Sequence, residues 1–302
     1  MLAMRYRSRL PLNLRQTLAP LRRSAGDPTH MDVNGAVWRT VPAASGPATL
    51  RFEQTPDGEV RALAWGPGAE EALGGVPDLL GARDGGLPPE PDSPLLRDLA
   101  RRFVGVRQIR TGRVLEALVP AVLEQKVTGI EAFRAWRWLL RRHGTPAPGP
   151  APAGLTVMPS AEAWLRIPSW DWHRAGVDAT RSRTVLAACS VATALERTTA
   201  LGTGPAVERA LRQVPGVGAW TAAEVAQRAH GDPDAVSVGD FHLPSLIGWA
   251  MAGRTRSDDA QMLVLLEPYR PYRARVVRLI EMGGPRPPRF GPRFAPRSYA
   301  AI

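Results

Sequence analysis

Two hydrophobic rhythms divide the chain. Between residues 37 and 65 apolar side chains gather in three short runs, Val37–Val41, Thr49–Glu53 and Val60–Trp65. The last two are joined across Pro56-Asp57-Gly58, a turn-forming triplet, so the stretch predicts a small sheet. Ala69–Leu80 predicts a helix, and residues 85–94, rich in Gly and Pro, read as a linker. Beyond it apolar positions recur at three- and four-residue steps through Leu95–Phe103, Arg113–Gln125 and Gly129–Arg142, and Leu115, Leu118, Val119 and Val122 form one helical stripe. Five prolines between Gly144 and Pro159 predict a surface loop. Helices resume at Ala161–Ile167, Ala179–Leu195, Pro205–Val214, Ala219–His230, Leu243–Met251, Asp258–Leu266 and Arg270–Glu281. The expected fold is an α+β N-terminal domain with a basic leading segment (residues 1–92), a mainly α-helical domain (93–282) and a basic Pro/Gly-rich tail (283–302), without internal repeats.

Composition narrows the chemistry. A chain of 302 residues suits two domains, and 44% hydrophobic against 22% charged residues is a globular balance. With Cys189 as the single cysteine, no internal disulfide, four-cysteine zinc site or cysteine-ligated iron–sulfur cluster can form. The histidines (His30, His143, His173, His230, His242) lack metal-ligand spacing, so no metal site is expected. No apolar stretch approaches the roughly 18–20 residues of a spanning helix, and the start lacks the apolar core of a secretory signal, which predicts an intracellular protein with no membrane partner. The two ends, residues 1–23 with six Arg and 282–302 with four, hold no acid and supply ten of the eleven net positive charges. That distribution fits a polyanionic partner; an Arg-rich, acid-poor start is also the composition of a transit peptide. Lys126 is the one lysine.

The most informative stretch is Val214-Pro215-Gly216-Val217-Gly218-Ala219-Trp220-Thr221-Ala222. Before it, Pro205 suits a first helical turn, and Val207, Ala210, Leu211 and Val214 share a face; after it, Ala222, Val225, Ala226 and Ala229 repeat the spacing and Gly231 supplies a stop. Gly216 and Gly218 are expected to turn the backbone with positive φ and leave bare the amides at the helix start on Ala219, an anion site that on DNA would take a backbone phosphate without reading sequence. Gly-x-Gly by itself is an ordinary turn between helices; the flanking stripes make it a helix-hairpin-helix.

This hairpin, the loop Gly231-Asp232-Pro233-Asp234 and the following Val238-Gly239-Asp240 resemble the helix-hairpin-helix (HhH-GPD) DNA glycosylases, in particular the branch of bacterial DNA-3-methyladenine glycosylase II. Leu118-Val119-Pro120-Ala121-Val122-Leu123-Glu124-Gln125 is similar to the helix whose terminal Gln approaches the lesion. The resemblance covers residues 95–282 well and the strand-rich front more loosely. It implies a glycosylase domain with Asp240 as the catalytic aspartate, Gly216, Gly218, Ala219, Gln125 and Lys126 against DNA, and Trp220, Glu224 and His242 around the substrate pocket. It implies no organic cofactor, with a monovalent cation on hairpin carbonyls as the family's one addition. The implied partner is double-stranded DNA with damaged bases, bound by a monomer in the bacterial cytoplasm at the nucleoid.

Breaking a C–N glycosidic bond passes through a sugar of oxocarbenium character, which an ionised Asp240 would oppose once the base is flipped from the duplex. Asp240 is equally suited to cap the helix that follows it. Asp232 and Asp234 flank Pro233 in a turn and read as structural. Trp220 stands where bifunctional members carry the lyase Lys, and an indole forms no Schiff base, so the resemblance implies a monofunctional enzyme; core packing is its other reading. Three positions depart from the pattern: Lys126 replaces the apolar wedge, while Glu224 and Ile280 stand where pocket aromatics are usual. Glu224 faces either the pocket or solvent. With no acid evident, cationic bases such as 3-methyladenine and 7-methylguanine are expected to leave faster than neutral hypoxanthine. The expected function is excision of alkylated purines in base excision repair; the alternative is a non-catalytic helix-hairpin-helix protein that grips DNA structures.

Overall fold

The computed structural model describes residues 1–86 and 93–288. The chain opens on β1 (Leu2–Tyr6) and the short helix α1 (Leu14–Leu18), followed by β2 (His30–Val33), β3 (Ala36–Ala43), β4 (Gly46–Gln54) and β5 (Val60–Trp65). All five strands form one antiparallel sheet in the order β1-β5-β4-β3-β2. Three of them are the predicted strands, and β1 and β2 add one at each edge. β2 turns into β3 through Asn34-Gly35, with φ of 49° and 80°, the two-residue geometry whose twist matches antiparallel neighbours.

The Arg-rich start is thus part of the sheet domain, and its charge is largely matched. Arg7 meets Asp57 at 2.5 Å, Arg15 and Arg22 meet Asp32 at 3.4 and 2.8 Å, and Arg23 meets Glu124 at 2.7 Å. At the other end Arg286 donates to the Glu281 carbonyl, and the tail from residue 289, like residues 87–92 of the predicted linker, lies outside the described residues.

One face of the sheet, with Leu50, Phe52, Ala62 and Ala64, packs on Leu14 and Leu18 of α1 and on α2 (Ala69–Gly74) and α3 (Val76–Leu79). These two replace the single predicted helix 69–80: Gly74-Gly75 weakens the middle, and Pro77, which cannot donate an amide, belongs to the first turn of a new helix. On the other face Trp38 stacks on Trp65 at 5.7 Å, and Leu155 covers them. The segment 144–159, expected as a surface loop, therefore docks: Thr156 N donates to Pro28 O at 2.7 Å, Thr40 Oγ1 donates to Thr156 O at 2.8 Å, and β6 (Thr145–Pro146) pairs with β7 (Thr156–Val157). An exposed tryptophan pair is the physical reason for the cover.

His30 of β2 is buried among these elements, and burial, with Arg39 adding to it, pushes its pKa down from 6.5 to about 4. The unfolded chain then binds a proton that the folded one refuses, so stability is full above pH 6.5 and falls as pH drops toward 4. The loss approaches about 3 kcal/mol at the acid end; acid titration of urea unfolding should show it, and His30→Gln should flatten that slope.

Beyond the sheet, α5 (Val114–Leu123), α6 (Gly129–His143), α7 (Ala161–Leu165), α8 (Ser169–Ala175), α9 (Ala179–Ser190), α10 (Ala192–Arg197), α11 (Pro205–Leu211) and α12 (Ala219–Val225) share one core around Leu118, Leu139, Trp164 and Leu211. The helix α8 was not anticipated; its Trp172 stacks on Trp164 at 5.5 Å. The predicted helix 179–195 breaks at Val191, and the predicted 219–230 helix widens after α12 into a π turn, Ala226–His230. A second core joins α4 (Pro94–Arg102) to α13 (Leu243–Ala252), α14 (Asp259–Leu266) and α15 (Arg273–Gly283), through Leu96, Leu99, Ile247, Met262 and Ile280. Residues 231–242 cross from the first core to the second. No helix among the described residues is long and apolar enough to cross a membrane.

Candidate active site

α11 and α12 are the two helices predicted around the hairpin, with Pro205 in the first turn of α11 and Gly231, at φ 73°, closing the π turn. The two glycines between them have different roles. Gly216 takes φ 88°, and a Cβ there would run into Thr184 Oγ1, so the turn lies directly on α9. Gly218 is extended, at φ −90° and ψ −176°, which corrects the expectation of positive φ at both; as the residue capping α12 it needs no left-handed turn. Nothing lies within 4 Å of where its Cβ would be, so the amides beginning at Ala219 are open to an approaching ligand.

The end of α5 meets this hairpin. Arg181 Nη1 donates to Leu123 O at 2.8 Å, fixing the last turn, and Gln125 Nε2 donates to Gly216 O at 3.0 Å and to Thr221 Oγ1 at 2.8 Å. Gln125 thereby braces the hairpin. Lys126 is exposed beside it in the left-handed conformation, φ 55°, a strained backbone for a side chain and one that clusters at functional positions.

Asp240 sits on the crossing segment, where Gly239 turns at φ 93° and donates its amide to Asp259. Its Oδ1 accepts the amides of His242 at 2.7 Å and Leu243 at 2.9 Å, capping α13, and its Oδ2 accepts Trp220 Nε1 at 3.2 Å. Both readings of Asp240 are therefore compatible in one geometry: a cap whose second oxygen is held from the opposite core. Trp220 is half-buried, and its indole N–H is held by the carboxylate. His242 touches Asp240 only through its backbone, and its exposed ring lies edge-on to Phe241 at 4.8 Å, so the imidazole does not orient the aspartate. Asp232 and Asp234 hold the loop, Asp232 accepting Gly204 N at 2.7 Å and Asp234 pairing with Arg273 at 2.7 Å.

Glu224 is largely buried and held by protein partners. It pairs with Arg228 at 2.7 Å and accepts Ser237 Oγ at 2.6 Å; burial alone would raise its carboxyl pKa, but Arg228 and Ser237 hold it below the usual range. Arg228 in turn donates through Nε to Pro20 O at 3.1 Å, tying the sheet domain to this cluster. Ile280 is completely buried in the second core, and its neighbour Glu281 interacts electrostatically with Glu224, Arg228 and Asp240. Glu281 is exposed to solvent yet crowded by protein: burial first, then Glu224 and Asp240, push its carboxyl pKa up against the pull of Arg278 and Arg228. Arg228, Ser237, Arg278 and Glu281 escaped the sequence reading, since polar residues on helices read as solvated faces until the packing is known. The hairpin carbonyls are partly engaged, Gly216 O by Gln125 and Val214 O by Val217 N, and no group of three His, Cys, Asp or Glu placed to hold a metal occurs among the described residues.

No family model matches the chain. In sequence it is 34% identical over 153 residues to the probable bifunctional transcriptional activator/DNA repair enzyme AlkA of two Mycobacterium tuberculosis strains, CDC 1551/Oshkosh and H37Rv. That match takes in 50% of this chain and only 30% of each relative. In structure it is similar to the 3-methyladenine DNA glycosylase of Archaeoglobus fulgidus, with TM-score 0.72 and 14% identity over 92% of this chain and 97% of that one. It is also similar to MBOgg1 in complex with a low-affinity DNA ligand, TM-score 0.70 and 12% identity over 92% and 93%. The Clostridium acetobutylicum 8-oxoguanine glycosylase/lyase bound to double-stranded DNA gives 0.69 and 11% over 93% and 96%. Overlap of this quality along more than nine-tenths of the chain gives the protein the fold of the helix-hairpin-helix DNA glycosylases.

Proposed function

We propose that the protein is a monofunctional DNA glycosylase that hydrolyses the N-glycosidic bond of alkylated purines, the 3-methyladenine and 7-methylguanine class, in duplex DNA. The observation that carries this reading is Asp240, fixed on both oxygens by N–H donors from α12 and the start of α13, beside the hairpin. A carboxylate so held needs no reorganisation as positive charge grows on the sugar, the condition under which electrostatic stabilisation is strongest. The open amides after Gly218 take a phosphate of the damaged strand, and Lys126, projected by its left-handed backbone, enters the space the flipped nucleotide leaves or pairs with a flanking phosphate. Asp240 then opposes the cation at C1′ and receives the proton of the attacking water. No organic cofactor enters this hydrolysis. The DNA-repair reading is supported by the name of the M. tuberculosis relatives and the choice of 3-methyladenine by that of the A. fulgidus protein.

The test is release of 7-methylguanine from a defined duplex under single-turnover conditions. The expected product is an intact abasic strand, and borohydride is expected to trap no covalent protein–DNA adduct, because Trp220 offers no amine at the hairpin. A trapped adduct lost in Lys126→Ala would reassign the enzyme as a lyase. Duplex binding without any release would favour the non-catalytic alternative.

A further inference from the structure

We infer that the outer face of α6 is a second nucleic-acid site, apart from the hairpin, that takes an unpaired strand. Arg134, Arg137, Trp138, Arg141 and Arg142 recur at three- and four-residue steps, so they share one side of the helix, and together they line an open cleft of about 440 Å³. Their charge has little to meet. Whereas the Arg-rich start of the chain is matched by carboxylates, Arg137 donates to the neutral Ser24 Oγ at 3.2 Å, and Arg141 makes no ion pair among the described residues. Arg142 comes only within 3.9 Å of Asp171, a buried carboxylate that His143 approaches at 3.0 Å. Arg134, Arg141 and Arg142 are exposed, and Trp138 is half-buried, packed against the helical core beneath it.

The mixture of side chains decides the ligand. A planar guanidinium takes two phosphate oxygens at once, and several in a row favour a polyanion over a single ion. Trp138 among them adds a flat apolar surface for which phosphate alone has no use. A duplex keeps its bases stacked inside, so it would meet the arginines and leave the indole idle. An unpaired strand offers phosphates and a base face together, the combination on which sequence-tolerant single-strand sites are built. The dimensions agree: from residue 134 to residue 141 the helix rises about 10 Å, room for about two to three consecutive phosphates. A cleft of this volume is in the range that holds a small ligand, here one nucleotide. Its place in the fold favours nucleic acid over an acidic peptide. α6 starts at Gly129, just after Lys126, and Arg181, which fixes the end of α5 through Leu123 O, also donates to Gly176 O at 3.1 Å beside the Arg134 guanidinium. The face therefore continues from the hairpin end of the same helical core, and it functions whatever the chemistry at Asp240.

The probe is a fluorescently labelled oligothymidylate, which forms no duplex, titrated with the full chain and followed by anisotropy. The double variant Arg141→Gln, Arg142→Gln alters exposed side chains and should melt like the wild type. Its oligothymidylate binding should weaken, and the log–log salt slope should shrink by about 1.4 for two lost phosphate contacts. Trp138→Leu keeps an apolar group on the core and should weaken the same binding by about 5–150-fold, the worth of one stacked base. Affinity for an undamaged duplex and single-turnover base release should stay at the wild-type values in both variants. Wild-type affinity for oligothymidylate in either variant, or an equal weakening toward the duplex, overturns the inference. Displacement of the oligothymidylate by oligoglutamate of matched charge also overturns it and reassigns the face to an acidic protein segment.

Discussion

Asp240→Asn should abolish base release while leaving duplex binding intact or slightly tighter. The substitution keeps the shape, and the remaining carbonyl oxygen can still accept the amides of His242 and Leu243 that cap α13. What it cannot do is oppose a sugar cation, and its NH2 would face the Trp220 N–H, donor against donor, across the present 3.2 Å contact. Loss of one preorganised electrostatic group in a site of this kind typically costs about 10²–10³ in rate, and the added loss of water activation places the expected effect at about 10³–10⁴. Single-turnover release and a binding isotherm on the same lesion-bearing duplex separate the two quantities. Release near the wild-type rate would leave Asp240 as a helix cap only.

Gly216→Val should cost roughly 2–4 kcal/mol of stability, combining a left-handed β-branched residue with overpacking against Thr184. Gly218→Ala tests the other half of the hairpin. Its extended backbone accepts a side chain and nothing stands within 4 Å of the new methyl, so folding should be almost unaffected, yet the methyl lies beside the amides assigned to the phosphate. Duplex affinity should therefore weaken in Gly218→Ala at wild-type thermal stability. If Gly216→Val unfolds normally, the packing of the turn on α9 is not what holds the hairpin. If Gly218→Ala binds DNA normally, the phosphate lies elsewhere.

The hairpin was legible because its evidence is local: a proline start, two apolar stripes and glycines at fixed offsets need no knowledge of the rest of the fold. Asp240 was singled out by the family resemblance, and its contact with Trp220 ties it to the helix that follows the hairpin. The strand β2 carried a readable signal in Asn34-Gly35 that the short run His-Met-Asp-Val obscured, whereas Leu-Ala-Met-Arg-Tyr of β1 shows no alternation and becomes a strand only because β5 offers an edge. The pocket departures could not be placed. Moving one residue along a helix rotates a side chain by about 100°, enough to put Ile280 in the core and leave Glu281 exposed. Glu224 illustrates the same limit from another side: its partner Arg228 lies four residues away on the chain, but Ser237 comes from beyond the π turn and Arg23 from the sheet domain.

The passage of residues 231–242 between two hydrophobic cores has a consequence for how this protein can fail. The helix α12, which carries Trp220, packs in one core and α13 in the other, and Asp240 is hydrogen-bonded to both helices. The Arg275–Asp84 pair fastens α15 to the front of the chain, and its loss is expected to shift the second core against the first while both stay packed. On the glycosylase reading, turnover would be a property of a joint, open to loss while nearly every helix remains intact.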